Sequence, residues 1–175
     1  MKSKRQIIIA THKMYDMPQD DIYLPVHVGR EGKDALPYQP DNTGDNISAK
    51  NPSYCELTGL YWAWKNLDCD YLGLAHYRRH FSMKSRYFRN SHTPMECVLT
   101  GDELAQLIPK YKIIVPKRRN YYIESLYSDY AHTHYAEHLD ITREIISEKY
   151  PDYLESFDKV MKQTGGYMFN MYIME

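Results

Sequence analysis

The chain has 175 residues, with 22 Lys or Arg against 23 Asp or Glu, so its net charge is about −1. This length is enough for one domain with a substantial core, and the balanced charge argues against a nucleic-acid partner. No apolar run approaches the ~18–20 residues that span a bilayer. The sequence therefore predicts a single domain over residues 1–175 that does not bind nucleic acid.

The first half of the chain predicts strands, one long loop and one helix. Residues 6–10 and 23–29 are short apolar runs typical of strands, whereas the Gly-, Asp- and Asn-rich stretch 30–50 predicts a long functional loop. In residues 56–66 the apolar side chains recur every three or four positions, which predicts a helix. Residues 71–75 are continuously apolar, as in a strand buried on both faces of a parallel sheet.

The second half continues the alternation. Thr100 and Glu103 have the spacing of a capping box at the start of a short helix. Further predicted elements are a strand at 112–116, helices at 121–138, 141–149 and 152–162, and a last strand at 167–174. Strands alternating with amphipathic helices predict an α/β fold with a mostly parallel sheet flanked by helices.

Basic side chains follow two of the predicted strands directly. His76-Tyr77-Arg78-Arg79 comes after the central strand, and Thr11-His12-Lys13 comes after the first. Ligands of open α/β sheets bind outside the carboxyl ends of the strands, and guanidinium groups suit phosphate or carboxylate oxygens. These positions predict an anion site, the alternative being that Tyr77 and one Arg pack inward while the other Arg faces water.

Several other residues have two interpretations. Glu56, in the first turn of the central helix, either complements the helix dipole or contacts a sugar hydroxyl. The 18 tyrosines, against 4 phenylalanines, offer flat apolar faces with hydroxyl tips that suit sugars as well as helix–sheet contacts. Asp68 and Asp70 precede the central strand, which is the wrong end for holding a metal–diphosphate.

The segment His134-Tyr135-Ala136-Glu137-His138 has the H-x-x-E-H spacing. On one helix, His134 and His138 would share a face and bind zinc, with Glu137 as general base. A zinc hydrolase is therefore a remote alternative, since histidine pairs arise readily by chance among eight histidines. The three cysteines, Cys55, Cys69 and Cys97, lack metal spacing and fit a reducing, cytoplasmic compartment.

Several long motifs closely resemble one family, the bacterial glycosyltransferases of capsular polysaccharide and exopolysaccharide biosynthesis, formerly catalogued as a domain of unknown function. The motifs are CELTGLYWAWKN (55–66) and DYLGLAHYRRHF (70–81), supported by IIIATHK (7–13), VHVGR (26–30), DNTGDNIS (41–48) and GGYMFNMYIM (165–174). The resemblance spans nearly the whole chain. Family members usually continue for several helices, so it also implies that a C-terminal part is missing.

The resemblance implies a GT-A-like fold that binds a nucleotide-diphosphate sugar, most often UDP-linked. Where glycogenin-like members of that fold carry an Asp-x-Asp metal motif, this chain has His76-Tyr77-Arg78-Arg79, which leaves a divalent metal, Mg or Mn, open. The FNMYIM segment is similar to a strand whose Asn faces the donor sugar, which indicates Asn170.

Together these observations predict a hexosyltransferase acting on a glycan or lipid-linked glycan acceptor. The predicted catalytic residues are His76, Arg78 and Arg79, the nucleotide-binding residues Thr11, His12 and Lys13, and the sugar-binding residues Asn51, Glu56, Tyr77 and Asn170. A non-catalytic nucleotide-sugar-binding module is the alternative. The basic segments 84–89 and 117–119 have two interpretations, a weak electrostatic contact with the inner face of the cell membrane or solvated loops.

Overall fold

The computed structural model describes residues 4–175, and its chain divides into two compact units. The first comprises the described residues up to Pro116 together with Asn170–Glu175, and the second is Lys117–Phe169.

The first unit contains a six-stranded sheet and four short helices. Its strands are β1 (Arg5–Thr11), β2 (Tyr23–His27), β3 (Gln39–Pro40), β4 (Tyr71–His76), β5 (Ile113–Ile114) and β8 (Tyr172–Met174), and its helices are α1 (Asn51–Tyr54), α2 (Leu57–Asn66), α3 (Arg86–Ser91) and α4 (Gly101–Leu107). The strand order is β3-β2-β1-β4-β8-β5. The first four of these strands run parallel, and β8 is antiparallel to both of its neighbours. The predicted mostly parallel α/β sheet is confirmed.

Each face of the sheet carries its own hydrophobic core. On one face Ile7 and Ile9 of β1 pack with Leu104 of α4, and on the other Ile8 of β1 packs with Trp62 of α2. This alternation follows from the two-residue period of a strand. A continuous apolar run was therefore the correct sequence signal for β1 and β4, since both faces of these strands are covered.

Helix α2 lies close to the sheet because of one glycine. A Cβ built on Gly59 would come within 2.7 Å of Cγ1 of Val28 and 3.4 Å of Cγ1 of Val26. Any larger side chain would push the helix away from β2. The close approach brings the start of α2 next to the carboxyl ends of the strands.

The predicted capping box begins α4. The hydroxyl of Thr100 accepts a hydrogen bond from the backbone N–H of Glu103, and the Glu103 carboxylate accepts one from the backbone N–H of Thr100 at 2.9 Å. Burial alone would raise the pKa of Glu103, but hydrogen bonds from Lys84 and Thr100 outweigh it and lower the pKa.

The second unit contains three helices and a two-stranded sheet. Its elements are α5 (Leu126–Thr133), α6 (Glu137–Lys149) and α7 (Leu154–Met161), with β6 (Arg119–Asn120) pairing antiparallel to β7 (Gly165–Gly166). Among the hydrophobic side chains of residues 117–169, Leu126 is the one that is buried. No helix among residues 4–175 is long and apolar enough to cross a membrane.

Several predicted elements of the second half differ in extent from the structure. The strand expected over 112–116 is only Ile113–Ile114, and the helices expected over 141–149 and 152–162 are Glu137–Lys149 and Leu154–Met161. The helix expected over 121–138 is α5, which ends at Thr133, because His134 adopts extended backbone angles (φ −140°, ψ −166°). The last strand, expected over 167–174, is only Tyr172–Met174, because Phe169 and Asn170 both have positive φ. A turn therefore precedes β8.

Candidate active site

The carboxyl ends of the parallel strands bring the basic segments together. In the sheet register, Ala10 of β1 lies opposite His76 of β4, and Thr11 lies opposite His27 of β2. His12 and Tyr77, the residues that follow, are in edge-to-face contact with ring centroids 5.3 Å apart. The two segments predicted to share one site are therefore neighbours.

A cavity of about 520 Å³ opens at this edge of the first unit. It is lined by Ala10, His12, Val28, Lys33, Asn51, Cys55, Glu56, His76, Tyr77 and Arg78. The lining carries two permanent cations, Lys33 and Arg78, two histidines and a single carboxylate. Its size is within the range of small-molecule sites, and its charge favours an anionic ligand.

The wall next to β2 is held by the buried carboxylate of Asp41, which is 0% exposed. Asp41 accepts hydrogen bonds from the backbone N–H groups of Gly29 (2.7 Å) and Arg30 (3.0 Å). It also accepts from the hydroxyls of Ser48 and of Thr58 at 2.7 Å. Through these hydrogen bonds, one carboxylate connects the end of β2, the long loop and helix α2.

The break between α1 and α2 places Cys55 and Glu56 at the cavity. Cys55 has φ +49° and ψ −129°, a conformation that costs a residue other than Gly about 1–3 kcal/mol. Its carbonyl accepts a hydrogen bond from Asn51 Nδ2 at 2.7 Å. This bond stabilises the turn, so the Asn51 side chain orders the wall of the cavity.

Glu56 and Asn170, both predicted to contact a sugar, lie together. Asn170 Nδ2 donates a hydrogen bond to Glu56 Oε1 at 2.9 Å. Glu56 precedes α2 and makes no side-chain capping hydrogen bond. The pair thus presents an amide and a carboxylate, groups that match sugar hydroxyls as donor and acceptor. Asn170 itself adopts φ +52°, which Asn tolerates better than most residues.

Tyr77 organises the basic side chains. Its ring is 9% exposed and makes edge contacts with His12 and, at 5.2 Å, with Tyr15. The Lys13 ammonium lies 5.3 Å and the Arg78 guanidinium carbon 5.1 Å from the ring centroid. Tyr77 therefore holds two cations beside the cavity by cation–π attraction.

A tight turn carries the two arginines. The backbone N–H of Arg79 donates to the carbonyl of His76 at 2.9 Å, and the N–H of His76 donates to the carbonyl of Arg79 at 3.2 Å. Both arginines are exposed, but Arg78 lines the cavity and Arg79 lies outside its lining. Arg78 therefore reaches the cavity, and Arg79, the next residue of the turn, does not line it.

Thr11 takes a different position from its neighbours. It is 1% exposed, and its hydroxyl donates to the carbonyl of Lys13 at 2.7 Å. Its side chain therefore orders the turn after β1, and His12 is the residue of this segment that lines the cavity.

Sequence reasoning missed Asp41, Lys33 and Cys55. Asp41 and Lys33 lie in the polar loop 30–50, where one charged residue resembles another and no period marks a position. The partners of Asp41 are 7 to 17 residues away in sequence. The long loop contributes Lys33 to the lining and Asp41 to the wall of the cavity, and these individual residues could be found only from tertiary contacts.

The zinc geometry expected for His134, Glu137 and His138 is wrong. His134 lies beyond the end of α5 and Glu137 begins α6, so the two histidines do not share a helical face. Both instead contact Tyr130, whose ring stacks on His134 at 4.5 Å and whose hydroxyl lies 3.1 Å from His138 Nδ1. Among residues 4–175, no three His, Cys, Asp or Glu side chains are grouped as a metal site.

A family model described as "Domain of unknown function (DUF4422)" matches residues 6–175. The chain belongs to this family. No match was found among curated proteins. The structure is similar to that of the WbbM bifunctional glycosyltransferase in its apo form, with a TM-score of 0.82 and 27% identity over 98% of this chain and 34% of that chain.

This DUF4422 chain therefore has a glycosyltransferase-type α/β fold, as its motifs predicted, and it spans about 34% of the length of the matched structure. The basic cavity lies where such sheets bind their ligands.

Proposed function

We propose that the protein is a glycosyltransferase that moves a hexose from a nucleotide-diphosphate sugar, UDP-linked, to a glycan acceptor in capsular or exopolysaccharide synthesis. The observation that supports it is the cavity at the carboxyl ends of β1 and β4. There Lys33 and Arg78 line the same cavity as Glu56, whose carboxylate accepts a hydrogen bond from Asn170, a residue outside the lining. Cations beside hydroxyl-binding groups match the two halves of such a donor.

The proposed reaction depends mainly on the cationic side chains, which stabilise the leaving diphosphate. When the bond between the anomeric carbon and the diphosphate oxygen breaks, positive charge develops on the sugar and negative charge on the leaving diphosphate. Arg78, oriented by the Tyr77 ring, stabilises the leaving group electrostatically. Lys33 lines the same cavity, and Lys13 lies over the same Tyr77 ring. Arg79, the next residue in the chain, adds positive charge. His12 contacts the nucleotide.

The sugar is oriented by the amide of Asn170 and the carboxylate of Glu56. The acceptor hydroxyl forms the new bond to the anomeric carbon and loses its proton to His76, because an imidazole exchanges protons near neutral pH. Asn51 contributes indirectly, since its side chain holds the Cys55 turn in place.

The test combines binding and turnover on the purified chain. We expect calorimetry to detect UDP binding, and a panel of UDP-hexoses to show donor hydrolysis or transfer with one of them. Arg78→Ala should weaken UDP binding by about tenfold or more, the effect of removing a charged hydrogen-bond partner. Arg86→Ala, an exposed arginine of α3 outside the cavity, should leave binding unchanged.

The outcomes separate the proposal from its alternative. No UDP binding at millimolar concentration would refute the transferase assignment. Binding of UDP-sugars with neither hydrolysis nor transfer to any glycan would indicate a nucleotide-sugar-binding module instead.

A further inference from the structure

A second cavity of about 300 Å³ lies beside the first and shares one residue with it. It is lined by Arg78, His80, Phe81, Ser82, Arg89, His92, Pro94, Cys97 and Val98. Arg78 also lines the candidate active site. A ligand in each cavity would therefore meet the same guanidinium.

The lining of this second cavity is basic and contains no carboxylate. Arg78 and Arg89 carry permanent charge, and within residues 4–175 neither forms an ion pair. Lys84, on the same segment, is instead neutralised by Glu103. Two guanidinium groups without a carboxylate partner at one concave surface repel each other, and an anion bound between them would offset this repulsion.

His80 gives an independent indication of a ligand. Both of its ring nitrogens are buried and have no hydrogen-bond partner among the described residues. A buried polar group without a partner costs about 1–3 kcal/mol, so such groups usually have a partner. Burial also lowers the pKa of His80, and its neutral ring can donate one hydrogen bond and accept another.

The walls of the cavity are fixed by other contacts. The backbone N–H of Leu99 donates to the carbonyl of Phe81 at 2.7 Å, and the hydroxyl of Ser82 donates to the carbonyl of Cys97. The His92 ring stacks on Phe88 at 3.7 Å, and its Nδ1 lies 2.9 Å from the Phe88 carbonyl. Nε2 of His92 is then the ring nitrogen that remains for a ligand.

We propose that this second cavity binds an anionic group of the acceptor, a carboxylate or phosphate on a saccharide, held by Arg89, His80 and the shared Arg78. The proposal rests on the proposed function, in which the first cavity binds the donor. With the two ligands on either side of Arg78, the acceptor is placed next to the leaving diphosphate. The volume, near the lower end of the range for small-molecule sites, fits about one sugar residue.

The experiment measures binding of inorganic phosphate, glucuronate and neutral glucose by calorimetry, without UDP and with UDP at saturation. We expect phosphate and glucuronate to bind in both conditions and glucose to bind at least about tenfold more weakly. Arg89→Gln should weaken anion binding by about tenfold and leave UDP binding unchanged. Arg86→Gln, on the same helix outside both cavities, is the matched control. Tighter binding of glucuronate than of phosphate would identify a carboxylated sugar, and the reverse a phosphate.

A second readout does not depend on a variant of the arginine. In protein with ¹⁵N-labelled histidine, anion addition should shift the His80 ring signals, assigned with His80→Gln. Unchanged His80 signals, equal binding of glucose, or equal effects of Arg89→Gln and Arg86→Gln would overturn the proposal. So would loss of anion binding at saturating UDP, because the anion would then occupy the donor cavity.

Failure of the two proposals can be told apart. Anion binding that depends on Arg89, in a protein that does not bind UDP, would refute the donor site while retaining the second cavity as an anion site. UDP turnover without anion binding would retain the transferase and refute the second cavity.

Discussion

Asp41 shows how much of the site depends on a single side chain that no ligand needs to touch. Its carboxylate is completely buried and accepts four hydrogen bonds, two from backbone N–H groups and two from hydroxyls. A carboxylate has enough acceptor positions for all four. The loop that contributes Lys33 and the helix that follows Glu56 are joined through it.

We therefore expect Asp41→Asn to lower the free energy of unfolding by about 3 kcal/mol. The amide NH₂ would face N–H and O–H donors, so buried donors would lose their acceptor. Urea denaturation measures the loss, and Asp34→Asn, the same change at an exposed position, should have almost no effect. A loss below about 1 kcal/mol would contradict the structural role given to Asp41.

Two buried histidines make stability depend on pH. Burial lowers the pKa of His27, with Arg30 adding to the effect, and burial lowers the pKa of His80. The folded protein thus binds fewer protons than the unfolded chain, whose histidines titrate at about 6.5. Stability should be fully present above that pH and decline as pH falls through it towards the lowered pKa of the folded state.

The measurement is the free energy of unfolding at pH 7.5 and pH 5.5. His80→Gln should reduce the difference between the two pH values, because one of the histidines that resist protonation has been removed. If the wild-type protein became more stable as pH falls over this interval, the predicted direction of the pH dependence would be wrong.

At the scale of elements, the close contact of α2 with β2 determines where Glu56 and Cys55 lie. Gly59 permits this contact, since a Cβ there would approach Val28 Cγ1 to 2.7 Å. Glycine lowers intrinsic helix stability by about 1 kcal/mol relative to alanine. Its presence in the middle of α2 is therefore explained by packing.

Gly59→Ala should destabilise the protein by about 1–3 kcal/mol, because overpacking outweighs the gain in helix propensity. A double-mutant cycle with Val28→Ala tests the cause. Val28→Ala removes the Cγ1 atom that the new methyl group would meet, so the double variant should lose less than the sum of the two single losses. Additive losses would show that the contact with Val28 is not the reason for the glycine.

Sequence patterns predicted the elements whose partners are local or whose burial is complete. The strands β1 and β4, the helix α2 and the Thr100–Glu103 capping box were found because each has a period, an apolar run or a fixed spacing. The end of α5 was missed, since His134 and Tyr135 do not oppose a helix by propensity. The His134 ring stacks on Tyr130, four residues earlier, where the backbone becomes extended.

The sequence also indicated residues that the structure brings together at one cavity, while their roles stay predictions. His12, Asn51, Glu56, His76, Tyr77 and Arg78 line the cavity as a group because parallel strands end at a common edge. The sequence alone does not show which of the adjacent residues Arg78 and Arg79 lines the cavity, because this depends on the geometry of the turn that contains both. The order created by Asp41 depends on contacts across three segments, which a linear pattern does not reveal.

At the scale of the whole molecule, the two units differ in how much they bury. Ile7, Ile8, Ile9 and Leu74 of the first unit are completely buried. In the second unit, α6 and α7 contain no buried residue, and Ile141 and Ile145 of α6 are about half exposed, at 52% and 50%. Hydrophobic burial is the main source of stability, so the units should differ in local stability.

Amide hydrogen exchange measured by mass spectrometry tests this difference. Amides of β1 and β4 should exchange only through global unfolding, whereas those of residues 137–149 should exchange through local opening at a free energy lower by on the order of a few kcal/mol. The Arg143–Asp158 ion pair, which links α6 to α7 at 2.7 Å, does not change this expectation, because exposed ion pairs contribute at most about 1 kcal/mol. Equal protection of α6 and β1 would show that the second unit is stabilised by contacts other than its own burial.

Added UDP should increase protection at the edge formed by His12 and Arg78, since a ligand that binds the folded state stabilises the segments that hold it.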